Sequence, residues 1–511
     1  MDSTSLTFHA AVLSLRGDGS DSQPHQSEEG LLCFNGEIYE GLESTSPEQS
    51  DSRALFRALQ ETHSLEGIVQ IIGSLRGPWA LSYFCSRTGK LLFGRDVFGR
   101  RCLLVRKTCC GFQLTSVACP ESSSKFWEEI PVRGIYVYDV NDSSLSLLEW
   151  DHSPTGELFH SFVPCSTLED VQLLELKIAC PIRVPLNRSL GNLELMDDDL
   201  AQQLDSLTEK FGDAVESLGV TFRRAVVTRI EKISDRHRDL PIGILFSGGI
   251  DSVLIAAFAV QTYPEKKFDL INVAFEHKDS DGVASYQSPD RQSSIAAFEE
   301  LRVLGGQLRL ICVDIPHGEV ESAKLDGHIP SLIYPMNSVL DESIGFALWF
   351  AARGEGYDFH TKDPHRSLCK VLLVGMGADE QLGGYSRHAA SFKERDWTVL
   401  LDCIARDIDR ISWRNMGRDD RVIGDLSREV RTPFLDENLV AYLNSLPISL
   451  KMQLHQNHGA GKKLILRLLA HSMGLKQTAL RSKRAMQFGS RFVNSYNKKR
   501  KGHESYQRSS E

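Results

Sequence analysis

Near the middle of the chain, Ser247-Gly248-Gly249-Ile250-Asp251-Ser252 stands between two apolar segments, residues 242–246 and 253–260. The first segment is short and bounded by turn residues, which reads as a buried strand, and the second is compatible with a helix. Two glycines let the backbone turn sharply and approach an anion. The start of the following helix offers unpaired N–H groups and the positive end of its dipole, and Ser247 and Ser252 add hydroxyl donors. Such a loop can cradle pyrophosphate. Asp251 would repel a phosphate unless a cation lay between them, so its natural role beside one is that of a Mg2+ ligand. The plainer alternative is a serine-capped strand-to-helix turn with no ligand.

The surroundings extend this unit into a layer. Phe211, Val215, Leu218, Phe222, Val226, Ile230 and Ile233 recur at three- and four-residue spacing and predict one face of an amphipathic helix. Further apolar runs at 270–275, 308–315 and 371–374 are separated by helical patterns, as buried parallel strands are. Right-handed strand–helix–strand units then predict a doubly wound α/β layer, with its ligand site beyond the carboxyl ends of the strands.

The front of the chain has a different character. Residues 1–150 read as short strands at 10–15, 31–34, 80–84, 91–93, 103–105 and 135–138, with turns between them and one clear helix at 52–60. Residues 151–204, with Pro154, Pro164, Pro181, Pro185 and the acidic 197–199, read as a connector. The expected domains are therefore 1–150, β-rich, and 205–490, α/β, followed by a polar tail at 491–511 with a basic cluster at 498–501.

With 511 residues and 41% apolar content the chain can bury real cores. A formal charge of −10 supplies no basic field for nucleic acid. The longest apolar stretches, at 253–260 and 344–352, fall short of the ~18 residues a membrane helix needs, and the first thirty residues lack the pattern of a signal peptide. Eleven cysteines with no CxxC pair fit reduced thiols. A cytoplasmic small-molecule protein is the expectation, the basic tail leaving the nucleus as the other compartment.

Ser247–Ser252 matches the SGGxDS loop of ATP pyrophosphatases, and the segments downstream of it resemble the asparagine synthetase family. Ser288-Pro289-Asp290-Arg291 stands where that family opens a helix with Ser-Pro-Asp. Gly375-Met376-Gly377-Ala378-Asp379-Glu380 and Gly383-Gly384-Tyr385 resemble its Gly-Glu-Gly-Ser-Asp-Glu loop and Gly-Gly-Tyr. Residues 429–436, Glu-Val-Arg-Thr-Pro-Phe-Leu-Asp, with Asn415 upstream, match another segment, and Arg481-Ser482-Lys483 matches the one carrying its late catalytic lysine. The resemblance implies an adenine nucleotide α-hydrolase-like fold with ATP and Mg2+ as cofactors. Ser247, Gly248, Gly249, Asp251, Ser252, Gly375 and Gly377 would hold the nucleotide, Asp251 and Asp379 the metal, and Lys483 the charge of the transition state. Arg431 and Asp436 are open between a catalytic role and a structural ion pair. The partners implied are a carboxylate, aspartate among the candidates, and ammonia.

In the front domain Asn35-Gly36-Glu37-Ile38-Tyr39 resembles the oxyanion-hole segment of class II glutamine amidotransferases, with Asn35 and Gly36 as its donors. Ser50-Asp51 resembles the pair that meets glutamine's amino group, residues 94–99 resemble an Arg-Asp-x-x-Gly strand, and Thr115-Ser116 sits at the family's Ser-Ser-Glu. An Ntn-type β-sandwich is implied. The departures are as informative. The family's nucleophile is a cysteine after the initiator methionine, whereas this chain begins Met1-Asp2-Ser3; Ala11 stands near the arginine that would hold glutamine's carboxylate. Met376 replaces a glutamate and can neither take a proton nor bind ammonium. The resemblance implies an amide-forming ligase that activates its acid as an acyl-adenylate, its glutaminase half inactive. The alternatives are a nucleotide-binding pseudoenzyme acting as scaffold, and an adenylating ligase for another carboxylate.

Overall fold

A computed structural model describes residues 5–13, 15–17, 22–42, 49–62, 64–109, 111–118, 127–152, 165–169, 171–182, 184–191, 200–278, 281–392, 396–454, 461–481 and 489–492. Lys483, Ser482 and the tail beyond residue 492 lie outside these. The chain divides into two compact units, one of Met1–Pro185, Glu231–Arg238 and Asp409–Arg421, the other of Leu186–Ile230, Asp239–Ile408 and Val422–Glu511.

The first unit is the sheet-rich amidotransferase-like domain expected. Its main sheet runs His25–Gln26, Gly30–Gly36, Trp79–Cys85, Lys90–Arg95, Gly134–Asp139, Leu145–Asp151, Gln172–Leu173, with Ile178–Ala179 also on Leu145–Asp151. A second sheet pairs Leu104–Thr108 with Gly111–Thr115 and Glu128–Glu129. Alternation along the strands sends Ala80, Phe93, Tyr136 and Leu147 from one sheet and Val105, Phe112 and Leu114 from the other into one apolar cluster, the core of a sandwich. Helices Asp51–Glu61 and Leu65–Ser74 belong to the same unit, and Tyr83 donates its hydroxyl to Leu59 O.

A run of charge closes this unit. Arg418, Asp419, Asp420 and Arg421 are all buried. Asp420 accepts from Arg101 at 2.8 Å and from the Cys102 N–H at 2.8 Å, and Arg421 pairs with Glu129 at 2.5 Å. Burying such charges is tolerable only because each meets a partner.

Two expectations for the front of the chain fail. The strand expected at 10–15 is absent from its described residues: Arg16 is instead pulled inward, its Nη1 donating to Ile38 O at 3.0 Å and Asp51 Oδ2 at 2.9 Å. The second helix, Leu65–Ser74, hides behind two glycines and four β-branched residues, yet is started by Ser64 accepting from the Gly67 N–H.

The second unit is doubly wound. Its seven-stranded sheet runs Pro364–Arg366, Glu355–Asp358, Gln307–Ile315, Lys267–Phe275, Ile242–Leu245, Val371–Leu373, Glu429–Arg431. The last five are parallel, and the first two form an antiparallel edge. Ile271, Val273, Phe275, Ile311, Val313 and Ile315 share a core with Phe346 and Phe350 of helix Val339–Arg353. Asn272 points to the other face, where Arg291 of helix Pro289–Arg302 donates to its Oδ1 at 2.7 Å. Helices therefore cover both faces. Among the described residues no helix is long and apolar enough to cross a membrane.

Candidate functional site

From Ile242–Leu245 the chain moves to Lys267–Phe275 and Gln307–Ile315 on one side, and later places Val371–Leu373 and Glu429–Arg431 on the other. The strand order thus reverses between Ile242–Leu245 and Val371–Leu373, and segments leaving the carboxyl ends of two such strands open a crevice. Both glycine-rich loops leave from there.

The first loop is built by close approach. Gly248 adopts φ +73°, and a Cβ on it would lie 2.3 Å from the carbonyl carbon of Ser293, so no side chain fits. Gly249 caps helix Ile250–Thr262, its N–H directed to Ser247 Oγ at 3.3 Å, while Ser252 Oγ donates to Gly249 O at 3.0 Å. Arg481 Nη1 donates to Gly248 O at 2.8 Å. Buried Arg467, whose guanidinium is pushed down to about 10 by burial, donates to Ala479 O and Arg481 O and so fixes that arm.

The second loop touches the first. A Cβ on Gly375 would lie 2.8 Å from Asp251 Cβ, and one on Gly384 would coincide with Asp379 Oδ1 at 1.6 Å. Gly377, at φ +95°, starts the short helix Ala378–Gln381 that carries Asp379. Asp251 Oδ2 and Asp379 Oδ1 lie 2.5 and 2.6 Å from one ammonium, that of Lys463. Lys463 is buried and adopts φ 55°, ψ 40° ahead of helix Leu464–Ser472. Burial works against its charge, but Asp251 and Asp379 outweigh it and hold the ammonium above its ordinary range. Buried Glu380 accepts from the Tyr385 hydroxyl at 2.5 Å, and burial followed by the charges of Glu380 and Asp379 raises that phenol well above its usual value. Met376 packs against the apolar cluster around Val313 and Phe346.

The remaining motif residues are structural in their contacts. Ser288 caps helix Pro289–Arg302, and Arg291 pairs with Asp314 at 2.7 Å. Arg431 pairs with Glu429 at 2.6 Å and donates to Arg229 O, while Asp436 pairs with Arg229 at 2.8 Å and caps helix Glu437–Ser445.

In the first unit, Asn35 and Gly36 end the strand Gly30–Gly36, opposite Ala80 and Trp79, with Asn35 exposed. A Cβ on Gly36 would lie 2.1 Å from Pro78 O. Asp51 is taken up by Arg16 and by the Ile38 N–H at 2.8 Å. Arg95 is locked to Glu129 at 2.9 Å and Asp96 to Arg100 at 2.9 Å. Burial pushes the Cys33 thiol up to about 11.

Comparison with known proteins agrees with both halves. Residues 11–118 match the family described as Glutamine amidotransferase domain, and residues 223–290 and 395–499 match Asparagine synthase. The chain is 34% identical to Asparagine synthetase domain-containing protein 1 of Gallus gallus, covering 95% of this chain and 89% of that one, and 33% identical to its Homo sapiens counterpart, covering 95% and 88%. The chain belongs to the asparagine synthetase domain-containing protein 1 family. In this family member the central residue of the crevice, Lys463, is one that the motifs do not reveal. Its signal is an anomaly: Lys462-Lys463 opens the apolar run Leu464-Ile465-Leu466, where a helix dipole disfavours cations. A lysine placed against that rule needs a carboxylate partner, and here it has two.

Proposed function

We propose that the second unit is an ATP-dependent amide-forming ligase of the asparagine-synthetase type. A carboxylate oxygen attacks the α-phosphorus of ATP as the bond to pyrophosphate breaks, and ammonia then attacks the acyl carbon as AMP leaves. The observation that carries this is the convergence of Asp251 and Asp379, from two strand ends at the switch point, on a single cation position beside the Gly248–Gly249 turn. A donor set of two carboxylates already sharing one buried ammonium fits Mg2+, which when held there neutralises pyrophosphate charge. The amides at the start of helix Ile250–Thr262 would receive the phosphates, Arg481 steadies the loop carbonyl, and Lys483 would supply the charge needed as negative charge builds up at phosphorus.

Free ammonia is the nitrogen source in this reading. The carboxylate that would receive glutamine's amino group, Asp51, is occupied by Arg16, and the thiol beside Asn35 and Gly36, Cys33, is held protonated. The nine cysteines among the described residues are free thiols, which supports a reducing, cytoplasmic setting.

The test is pyrophosphate release from Mg-ATP with aspartate and ammonium, then with a panel of other acids. Release that requires an acid and is abolished by Asp251→Asn supports the ligase, and the acid that works names the substrate. Met376 in an apolar cluster favours a second reading, a nucleotide-binding scaffold; ATP binding with no release for any acid would select it. Incubation with glutamine should yield no glutamate, and robust release lost in Cys33→Ala would overturn the ammonia reading.

A further inference from the structure

Among the described residues one cluster of ligand-type side chains lies apart from the carboxylates of the crevice. His388 comes from helix Ser386–Ser391, and Cys403 and Asp407 come from helix Trp397–Asp409. Cys403 and Asp407 are four residues apart and so share a helical face. A ring nitrogen of His388, Cys403 Sγ and an Asp407 oxygen all lie within 4.8 Å of one another. His388 is fully buried, with Nε2 2.7 Å from Asp407 Oδ2, and the same oxygen accepts from Arg387 Nε at 2.8 Å. The ring's Nδ1 is buried and has no hydrogen-bond partner among the described residues. Cys403 is only half-buried, and its sulfur lies beside this buried histidine–aspartate pair.

The arrangement is that of an activated nucleophile: a carboxylate orients an imidazole, and the imidazole takes the proton of a thiol. A closed zinc site needs four ligands. Here the carboxylate is already spent on the imidazole and a guanidinium, which favours the thiolate. We propose that Cys403 is a reactive thiolate that takes peroxide-class oxidants, with the His388 ring beside it and Asp407 behind the ring. The thiolate sulfur attacks one peroxide oxygen; the S–O bond forms as the O–O bond breaks. Sulfur is oxidised to the sulfenic acid, the peroxide is reduced, and the hydroxide that leaves takes the proton from the His388 imidazolium.

The electrostatics agree. His388 lowers the Cys403 thiol, burial opposes it, and the charge of Asp407 also works against the thiolate. Burial works against the His388 imidazolium, but Asp407 and Cys403 outweigh it and raise the ring above its ordinary value. Burial raises the thiols of Cys33, Cys312 and Cys369 instead.

The full-length reduced protein is pulsed with iodoacetamide from pH 6 to 9 and the label on each cysteine quantified by peptide mass spectrometry. Cys403 should alkylate at least about tenfold faster than half-buried Cys33 at pH 7, with a midpoint below the ordinary ~8.5 of a thiol. One equivalent of hydrogen peroxide followed by dimedone should tag Cys403 first. His388→Gln should slow the reaction and raise the midpoint, and Asp407→Asn, which keeps an acceptor for the buried ring, should slow it to a smaller extent. A Cys403 no faster than Cys33, or one indifferent to both substitutions, overturns the proposal. So does stoichiometric zinc retained by wild type and lost in His388→Gln, which would make the cluster a metal site.

Discussion

Two buried lysines differ because, among the described residues, one has acids beside it and the other does not. Lys463 neutralises Asp251 and Asp379, and Lys463→Met would leave two carboxylates facing each other in a buried crevice. We expect a loss of about 3–5 kcal/mol in denaturant unfolding. Millimolar Mg2+ should restore part of it in this variant more than in wild type, since the carboxylates then lack their ammonium. Lys451, 1% exposed, has burial alone acting on it, which pushes its ammonium down to about 7 from 10.5. Between those values the unfolded chain binds more protons than the folded one, so this lysine's cost is full below pH 7 and fades as pH rises to 10.5. Lys451→Met should therefore stabilise the protein, by at most about 5 kcal/mol below pH 7, and flatten the rise of stability above it, read from denaturant midpoints across pH. At this scale the sequence showed Asp251 and Asp379, because glycine loops after apolar runs announce strand ends. Lys463 stayed hidden: its meaning lies in partners 212 and 84 residues away, which no local pattern records.

Elements with an unbroken apolar run were legible. Ile242–Leu245, Lys267–Phe275, Gln307–Ile315 and Val371–Leu373 match the expected strands within a few residues. The fifth parallel strand, Glu429–Arg431, was not, since two of its three residues are charged and become strand-compatible only by pairing with each other. Helix Glu437–Ser445 shows how a motif residue can serve an element. Asp436 accepts from the N–H groups of Asn438 and Leu439 while holding Arg229. Asp436→Asn should keep the cap and lose the ion pair, and Asp436→Ala should lose both, so alanine should be less stable than asparagine by about 1 kcal/mol in urea denaturation. Equal stability of the two would mean that the cap contributes nothing.

At the scale of the whole molecule, the first unit is discontinuous along the chain, since Asp409–Arg421 completes it. Four successive charges ordinarily read as a solvent-facing surface, and only the structure reveals that Arg418 to Arg421 are buried there. A fragment of residues 1–185 lacks Asp420 and Arg421, which pair with Arg101 and Glu129, and should show no cooperative thermal transition by circular dichroism. In the full chain, Arg421→Ala should cost about 3–5 kcal/mol. The same discontinuity sets a timetable. During synthesis the front sheet emerges first, yet Arg101 meets Asp420, and Glu129 its second partner Arg421, only once residue 421 has left the ribosome. At about 5–20 residues per second that interval is on the order of tens of seconds, during which the first-made part of the protein stays unfinished and depends on whatever shields it in the meantime.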